Sequence, residues 1–104
     1  MNKILVLGCG TWGSAIAQSL SNNAHLVTMW HYNKDKLLNF NTTRIHPNLL
    51  NFTFNSNINF DYNLENSLSD SEIVVIATPS SSVRDIVAKI NPYLKDNQII
   101  VNTA

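Results

Sequence analysis

The sequence is poor in the features that mark nucleic-acid-binding, membrane-spanning and disulfide-bonded proteins. Lysine and arginine together number seven, as do aspartate and glutamate, so the formal net charge at pH 7 is zero. No basic surface for nucleic acid or anionic membranes is therefore expected. No apolar run comes near the roughly 20 residues that a membrane-spanning helix requires. A single cysteine excludes an internal disulfide framework, and with no signal-peptide pattern in residues 1–7 it predicts a cytoplasmic protein.

The chain does contain enough apolar sequence for one globular domain. It has 104 residues, of which 44% are hydrophobic and 13% charged, a balance typical of a packed core. Short apolar runs alternate with segments of helical periodicity. This alternation predicts an α/β fold of the Rossmann type, a doubly wound, mainly parallel sheet with helices on both faces. The predicted strands are 2–7, 25–30, 58–60, 72–78 and 97–102, and the predicted helices are 11–22, 33–40, 63–69 and 81–91.

Two groups of apolar residues predict where side chains pack. One group lies at helical spacing in the first predicted helix, so we expect it to face the sheet. The other group is aromatic and alternates through the irregular segment around residues 52–62, a pattern that predicts half-buried packing. No basic residues are interleaved with these aromatic residues, so they do not form a stacking surface for nucleic acid. The helical group is Trp12, Ala15, Ile16, Ser19 and Leu20, and the aromatic group is Phe52, Phe54, Phe60 and Tyr62.

Three glycines separate the first strand from the first helix, at Gly8, Gly10 and Gly13. Gly8 permits a tight turn because it lacks a Cβ, Gly10 leaves room for a diphosphate, and Gly13 lets the helix lie close to the strands. The first N–H groups of a helix have no intrahelical partner and lie at the positive end of its dipole, where an anion is stabilised. Because the motif follows a predicted strand and opens a predicted helix, it favours dinucleotide binding over a turn kept only for packing.

The end of the second strand leaves the choice between NAD and NADP open. An acidic residue is expected there to hold the adenosine ribose, yet residues 30–34 run W-H-Y-N-K. His31, Lys34 and Lys36 could attract the 2′-phosphate of NADP, or they could be solvated loop residues. The expected cofactor is accordingly NAD or NADP, without a preference.

Other reactive side chains form no pattern typical of a catalytic or metal site. Cys9 has no histidine at a spacing that suggests a catalytic partner, so we expect it to fill the turn. His25, His31 and His46 share no metal-ligand spacing, and no metal site is predicted. Residues 80–82, all serine, could cap the helix that follows or contact a phosphate at the end of the fourth strand, and the cap is the expectation kept here.

Three stretches of the chain resemble the N-terminal segment of bacterial NAD(P)-dependent glycerol-3-phosphate dehydrogenases. The first is VLGCGTWGSAIAQSLSNNAHLVTMW, similar to the family's G-x-G-[ST]-W-G-[ST]-A-[LI]-A run, whose tryptophan is rare in other glycine loops. The second, IVVIATPSSSVRDIV, resembles an apolar strand followed by A-[VT]-P-S and a helix. The third, NTTRIHPNLL, resembles N-x-x-R-x-N-P-x-Y-L. The resemblance covers essentially the whole chain.

This resemblance implies a cofactor-binding role for ten residues. Those of the glycine loop would line the diphosphate site, the next two would lie beside the adenosine ribose, and the last three would lie near the nicotinamide. The chain departs from the family at Tyr32, where arginine is usual, and at Leu49, where tyrosine is common. The ten residues are Gly8, Gly10, Thr11, Trp12, Gly13, His31, Tyr32, Ala77, Pro79 and Ser80.

The implied reaction is reversible hydride transfer between NAD(P)H and dihydroxyacetone phosphate, which supplies sn-glycerol 3-phosphate for phospholipid synthesis. The protein must also deliver a proton to the ketone oxygen, and the resemblance places the lysines for this task beyond Ala104. No catalytic residue is therefore assigned. Residues 1–104 are expected to be an incomplete dinucleotide-binding domain, inactive without a C-terminal helical domain that binds the phosphorylated substrate. A homodimer is left open for the full-length form.

Two other functions are kept beside this one. The first is a different NAD(P)-dependent dehydrogenase of the 6-phosphogluconate-dehydrogenase-like type, such as a ketopantoate reductase or a nucleotide-sugar dehydrogenase, against which Trp12 argues. The second is a nucleotide-binding module without catalysis. Such a module would be stable with its last strand covered, whereas residues 99–101 predict an exposed apolar edge that favours instability or self-association.

Overall fold

The computed structural model describes residues 2–103 and contains one parallel sheet flanked by helices. Across the sheet the strand order is β3-β2-β1-β4-β5, and every pairing is parallel. This order confirms the predicted Rossmann-type architecture. The strands are β1 (Lys3–Leu7), β2 (Leu26–Trp30), β3 (Asn59–Phe60), β4 (Ile73–Ile76) and β5 (Ile99–Asn102), and the helices are α1 (Thr11–Asn22), α2 (Lys34–Thr43), α3 (Leu64–Ser69) and α4 (Val83–Ile90).

Helix α2 runs to Thr43 and is longer than the prediction of 33–40. The hydroxyl groups of Thr42 and Thr43 donate hydrogen bonds to carbonyl oxygens one turn back, at 2.9 and 3.0 Å, so these β-branched residues continue the helix. Arg44 follows the helix as its C-terminal cap, with a left-handed φ of 63°. Its guanidinium donates to the Ile58 carbonyl at 2.7 Å and holds the chain after the helix against the start of β3.

The sheet buries apolar side chains on both faces. Alternate residues of a strand point to opposite faces, so β1 contributes Ile4 and Val6 to one core and Leu5 and Leu7 to the other. The first core also takes Ala17 of α1 with Leu37 and Phe40 of α2, and the second takes Leu68 of α3 with Ile86 and Ile90 of α4. Helices therefore cover both faces, as predicted.

The face that α1 turns toward the sheet is not the predicted apolar stripe. Trp12 is 60% exposed, and Ile16 and Leu20 are only partly buried at the side of the core. The helix lies so close to β1 that a Cβ on Gly13 would collide with the carbonyl oxygen of Gly8. Small side chains therefore form the contact, and the apolar periodicity predicted the wrong face. The buried residues of α1 are Gly13, Ser14, Ala17 and Ser21.

The outer strand β5 exposes every one of its residues. Ile99 is 59% exposed and its neighbours Ile100 and Val101 are each 41% exposed, which confirms the predicted apolar edge. The central strand β1 is equally apolar but is buried along Ile4–Leu7. In residues 2–103, no helix combines the length and the apolar character needed to cross a membrane.

The aromatic residues of the irregular segment pack as expected. Phe54 is buried and makes edge-on contacts with Phe52 and Phe60, at centroid distances of 4.9 and 5.1 Å. Tyr62 stacks on Trp30 at 6.1 Å. This cluster fastens the segment that follows α2 to the sheet.

Candidate functional site

The turn from β1 into α1 begins at a residue that only glycine suits. Gly8 has a φ of +117°, in the region that side-chain-bearing residues rarely adopt. A Cβ there would lie 2.8 Å from the carbonyl oxygen of Ala77. The N–H of Gly8 donates to the Trp30 carbonyl oxygen at 2.9 Å. The turn is thereby held between β2 on one side and the end of β4 on the other.

Gly13 brings the first turn of α1 against this loop. A Cβ at Gly13 would collide with the Gly8 carbonyl oxygen and lie 3.3 Å from the Cβ of Ala77. Ala77 is itself nearly buried, so its small side chain fills the space between β4 and the helix. The structure thus places Ala77 as a spacer behind the loop.

Gly10 lies in open space, unlike the other two glycines. Its φ of −70° and ψ of −176° are accessible to any residue, and nothing lies within 4 Å of where its Cβ would be. No side chain caps α1 at this residue, and its first turn has no acidic residue. The first N–H groups of the helix therefore lack a side-chain acceptor where an anion is favoured. The open position of Gly10 and the uncapped start of α1 fit a diphosphate.

A cleft of about 650 Å³ extends from Gly10 toward α2. It contains two of the ten residues predicted to bind the cofactor, Gly10 and His31, together with side chains that the motif did not single out. Its lining includes Gly10, His31, Asp35, Lys36, Phe40 and His46.

His31 presents a neutral ring at the mouth of this cleft. Its Nδ1 accepts a hydrogen bond from the Asn33 N–H at 2.9 Å, so in the neutral ring the proton is on Nε2. Partial burial lowers the pKa of His31, and the positive charge of Lys36 lowers this pKa further. The ring also stacks on Tyr32 at 4.5 Å. His31 is therefore a hydrogen-bond donor at neutral pH and not a cation.

The two lysines predicted to attract a 2′-phosphate occupy different surroundings. Lys36 lines the cleft with His31. The ammonium group of Lys34 instead lies 5.8 Å from the centroid of the Tyr62 ring. Asp35 also lines the cleft, so one acidic and one basic side chain line it beside His31, and the pair favours neither NAD nor NADP.

The remaining predicted contacts lie at the surface around the loop. Thr11 and Trp12 form the exposed first turn of α1, and Tyr32 is 68% exposed. Pro79 and Ser80 are exposed just beyond β4 and are not among the residues that line the cleft. Their contacts with a cofactor stay predictions.

The serines after β4 do not cap α4 as expected. Residues 80–82 form a short 3₁₀ turn that runs directly into the helix, and Ser82 makes no side-chain capping bond. Its φ of −102° and ψ of −4° differ from the extended backbone that a capping residue adopts. The prediction of a serine cap is therefore wrong.

Cys9 fills the turn, as expected. The side chain is buried, its Sγ lies 3.8 Å from the Trp30 carbonyl oxygen, and burial raises the pKa of the thiol to about 12. The group is therefore protonated at neutral pH and is not an activated nucleophile. Among residues 2–103, no three His, Cys, Asp or Glu side chains converge to hold a metal ion.

The contact of His46 with the glycine loop is the feature that the sequence motifs did not predict. His46 is buried, and its Nε2 lies 2.9 Å from the carbonyl oxygen of Cys9, 37 positions earlier in the chain. No periodicity or spacing links the two residues. The histidine joins the loop after α2 to the glycine loop.

Comparison with known proteins identifies relatives along the whole chain. The glycerol-3-phosphate dehydrogenase (NAD(P)+) of Thermoanaerobacter sp. strain X514 is 38% identical over 102 residues, covering 98% of this chain and 31% of the relative. The enzyme of the same name from Fusobacterium nucleatum is 37% identical over 109 residues, covering 100% of this chain and 31% of the relative. The chain thus spans about a third of the length of these relatives.

Solved structures show the same fold. The glycerol-3-phosphate dehydrogenase of Coxiella burnetii matches with a TM-score of 0.90 and 24% identity, covering 97% of this chain and 31% of that one. The glycerol-3-phosphate dehydrogenase of Saccharomyces cerevisiae matches with a TM-score of 0.81 and 23% identity, covering 97% of this chain and 33% of that one.

Residues 3–104 match a family model described as the N-terminus of NAD-dependent glycerol-3-phosphate dehydrogenase. The match includes the glycine loop, the cleft and all five strands. It confirms the resemblance found in the sequence, and the predicted cofactor class, NAD or NADP, agrees with the family description and with the names of the relatives. The chain therefore belongs to the NAD-dependent glycerol-3-phosphate dehydrogenase N-terminal family.

Proposed function

We propose that this chain is the cofactor-binding part of an sn-glycerol-3-phosphate dehydrogenase and that it binds the diphosphate of NAD or NADP at the start of α1. The observation that carries the proposal is the open position of Gly10 before an uncapped helix, beside two glycines that packing requires. A turn kept only for packing would leave no reason for a glycine at this third position.

The N–H groups, the glycines and the side chains of the cleft contribute to cofactor binding in different ways. The N–H groups in the first turn of α1 donate to the diphosphate, and the helix dipole favours its negative charge. Gly8 and Gly13 hold this turn against β1 and β4 because any Cβ there would clash. At the other end of the cleft, the Nε2 donor of His31 and the ammonium group of Lys36 face the adenosine ribose.

The proposed reaction is reversible hydride transfer with dihydroxyacetone phosphate, which yields sn-glycerol 3-phosphate for phospholipid synthesis. The nicotinamide cofactor supplies the hydride, and this chain orients it. The proton for the ketone oxygen and the contacts with the substrate phosphate come from sequence outside these 104 residues. The relatives are about three times as long as this chain, and their names support this assignment. A cytoplasmic location is proposed with it, because the sequence has one cysteine, which is buried and free.

Binding is tested by titrating the chain with NADH and following cofactor and tryptophan fluorescence. Gly10→Val places a branched side chain where the diphosphate enters, and its Cβ meets no protein atom within 4 Å. We expect the affinity to fall by more than tenfold while the circular dichroism spectrum is unchanged. Ala15→Val is the matched control, because Ala15 is exposed on the same helix. Equal affinities of the Gly10→Val variant and the wild type would refute the proposed site.

The reaction is tested on a polypeptide extended to the length of the relatives. Oxidation of NADH is measured after addition of dihydroxyacetone phosphate, with 2-dehydropantoate as the competing substrate. We expect turnover with the first compound and a rate at least a hundredfold lower with the second. The reverse preference would assign the chain to a different dehydrogenase while leaving its cofactor site intact.

A further inference from the structure

His46 uses both of its ring nitrogens inside the protein. Its Nδ1 accepts a hydrogen bond from the Asn48 N–H at 3.1 Å. A backbone N–H is always a donor, so the proton of the neutral ring must be on Nε2. This Nε2–H donates to the Cys9 carbonyl oxygen at 2.9 Å. Since only 3% of His46 is exposed, water cannot readily replace either bond.

The carbonyl that His46 holds belongs to the peptide between Cys9 and Gly10. This unit is planar and trans, so fixing its oxygen also fixes the direction of the Gly10 N–H. The same oxygen accepts the Ser14 hydroxyl of α1 at 3.3 Å. The peptide that precedes the open position of the loop is thus held from two sides, by α1 and by the loop after α2.

Packing sets the position of the histidine ring. The ring stacks nearly parallel to Phe40, with centroids 5.2 Å apart and an interplanar angle of 12°. Phe40 is buried in α2 and contacts Phe54 edge-on at 5.8 Å. The aromatic cluster therefore carries His46 toward the glycine loop, and the ring reaches the cleft that Gly10 lines.

We propose that His46 is a positioning residue for dinucleotide binding, whose Nε2–H orients the Cys9–Gly10 peptide toward the diphosphate. This inference rests on the proposed function, because it explains how the diphosphate loop keeps its shape. His46 acts through the Cys9 carbonyl. An incorrectly oriented peptide would turn the loop away from the cofactor even if the fold were intact.

The test compares two substitutions of similar size and shape. His46→Met is unbranched and apolar, and its flexibility favours folding. His46→Gln keeps an N–H donor that can reach the Cys9 carbonyl. Ile90→Val is the stability control, because Ile90 is buried in the second core, on the face of the sheet opposite the aromatic cluster that holds His46. NADH affinity is measured by fluorescence titration at a temperature where all four proteins are folded.

We expect His46→Met to weaken NADH binding by about five- to tenfold, as the net loss of one hydrogen bond implies. His46→Gln is expected to recover most of this loss, and Ile90→Val to lower Tm with affinity within twofold of the wild type. If His46→Met does not fold, His46→Phe takes its place, since an aromatic ring keeps the stacking on Phe40 but donates no hydrogen bond.

Cys9 provides a second measurement, because it is the single cysteine of the chain and lies in the loop that His46 holds. We expect a disulfide reagent such as dithiobis(nitrobenzoate) to modify Cys9 faster in His46→Met than in His46→Gln or Ile90→Val. NADH should slow the reaction of the wild type. A merely structural histidine would change Tm without separating the Met variant from the Gln variant.

Three results would overturn the inference in distinguishable ways. If the wild type binds NADH and His46→Met binds it within twofold, the positioning role is wrong and the proposed function stands. If the Met and Gln variants lose affinity equally, packing accounts for the effect and the donor does not. If the wild type binds neither NADH nor NADPH, the proposed function fails and the positioning role fails with it.

Discussion

The starts of α1 and α2 occupy equivalent places in the sheet but are completed differently. Each helix follows a parallel strand at its carboxyl end, β1 or β2. At α2, the Asn33 side chain accepts from the Lys36 N–H at 3.1 Å, and Asp35 lies in the first turn. At α1, Gly10 offers no side chain and no acid follows. The start of α2 is closed by a side chain of the protein, whereas the start of α1 has no such partner and fits an anion from outside.

The largest expected effect is the loss of stability on substituting Gly13, the third residue of α1. Lys36, the third residue of α2, is the matched comparison. Gly13→Val would collide with the Gly8 carbonyl oxygen, so we expect a loss of about 3 kcal/mol or more in the free energy of unfolding. Lys36→Val, at an exposed residue, should cost only about 0.5 kcal/mol through helix propensity. Urea denaturation measures both variants. Similar losses would mean that α1 is not packed more closely than α2.

Gly10→Asp would give α1 the kind of cap that α2 already has. The backbone at Gly10 is extended and its Cβ position is free, so the carboxylate can accept from the first turn of the helix. We expect stability to rise by a few tenths of a kcal/mol and NADH affinity to fall by more than tenfold, because the carboxylate occupies and repels the diphosphate. Thermal unfolding and fluorescence titration measure the two changes. Unchanged binding would place the diphosphate elsewhere.

Asn33→Ala makes the reverse change, because it removes the side chain that caps the start of α2. The loss of the bond to the Lys36 N–H should lower the free energy of unfolding by about 1 kcal/mol. Asn41→Ala, at an exposed position of the same helix, is the control and should be neutral or slightly stabilising. Urea denaturation of the two variants separates the cap from helix propensity. An equal effect of both substitutions would argue that the cap of α2 contributes nothing.

The smallest expected effect is a pH dependence at the start of α2. Burial, together with the charge of Lys36, holds the pKa of His31 below its ordinary value of 6.5. Above that value the ring is neutral in both states, so His31 does not affect stability. As pH falls below 6.5, the unfolded chain binds the proton first, and stability decreases down to the folded pKa. His31→Gln should remove this part of the decline in urea denaturation measured between pH 7 and 5, and identical slopes would contradict the assignment.

The predicted fold and glycine loop depended on local patterns, and these proved reliable. The alternation of apolar runs and helical segments predicted all five strands and the helices on both faces. Only boundaries moved, as at Thr43, where hydroxyl groups bonded to the preceding turn extend α2. The roles of Gly8 and Gly13 could be predicted because turn geometry and close packing exclude a Cβ at these positions.

Two of the failures came from contacts between distant parts of the chain. The stripe that contains Trp12 was expected to be buried, but the helix approaches β1 through Gly13 and Ala17 because large side chains would not fit. The stretch that contains His46 resembles a family motif, but nothing in that motif pointed to the Cys9 carbonyl. The contact exists because the aromatic cluster places the ring there. Apolar periodicity reports which residues avoid water but not how closely two elements approach.

The amino-acid sequence by itself determined the order of the strands and helices, the glycine turn and the family, because each follows from local periodicity or from the steric freedom of a single residue. Only the tertiary structure decided that α1 faces the sheet through small residues such as Gly13 and Ala17. It also decided that His46 meets the glycine loop. The reason is physical: burial and hydrogen bonding depend on distances between elements that are far apart along the chain.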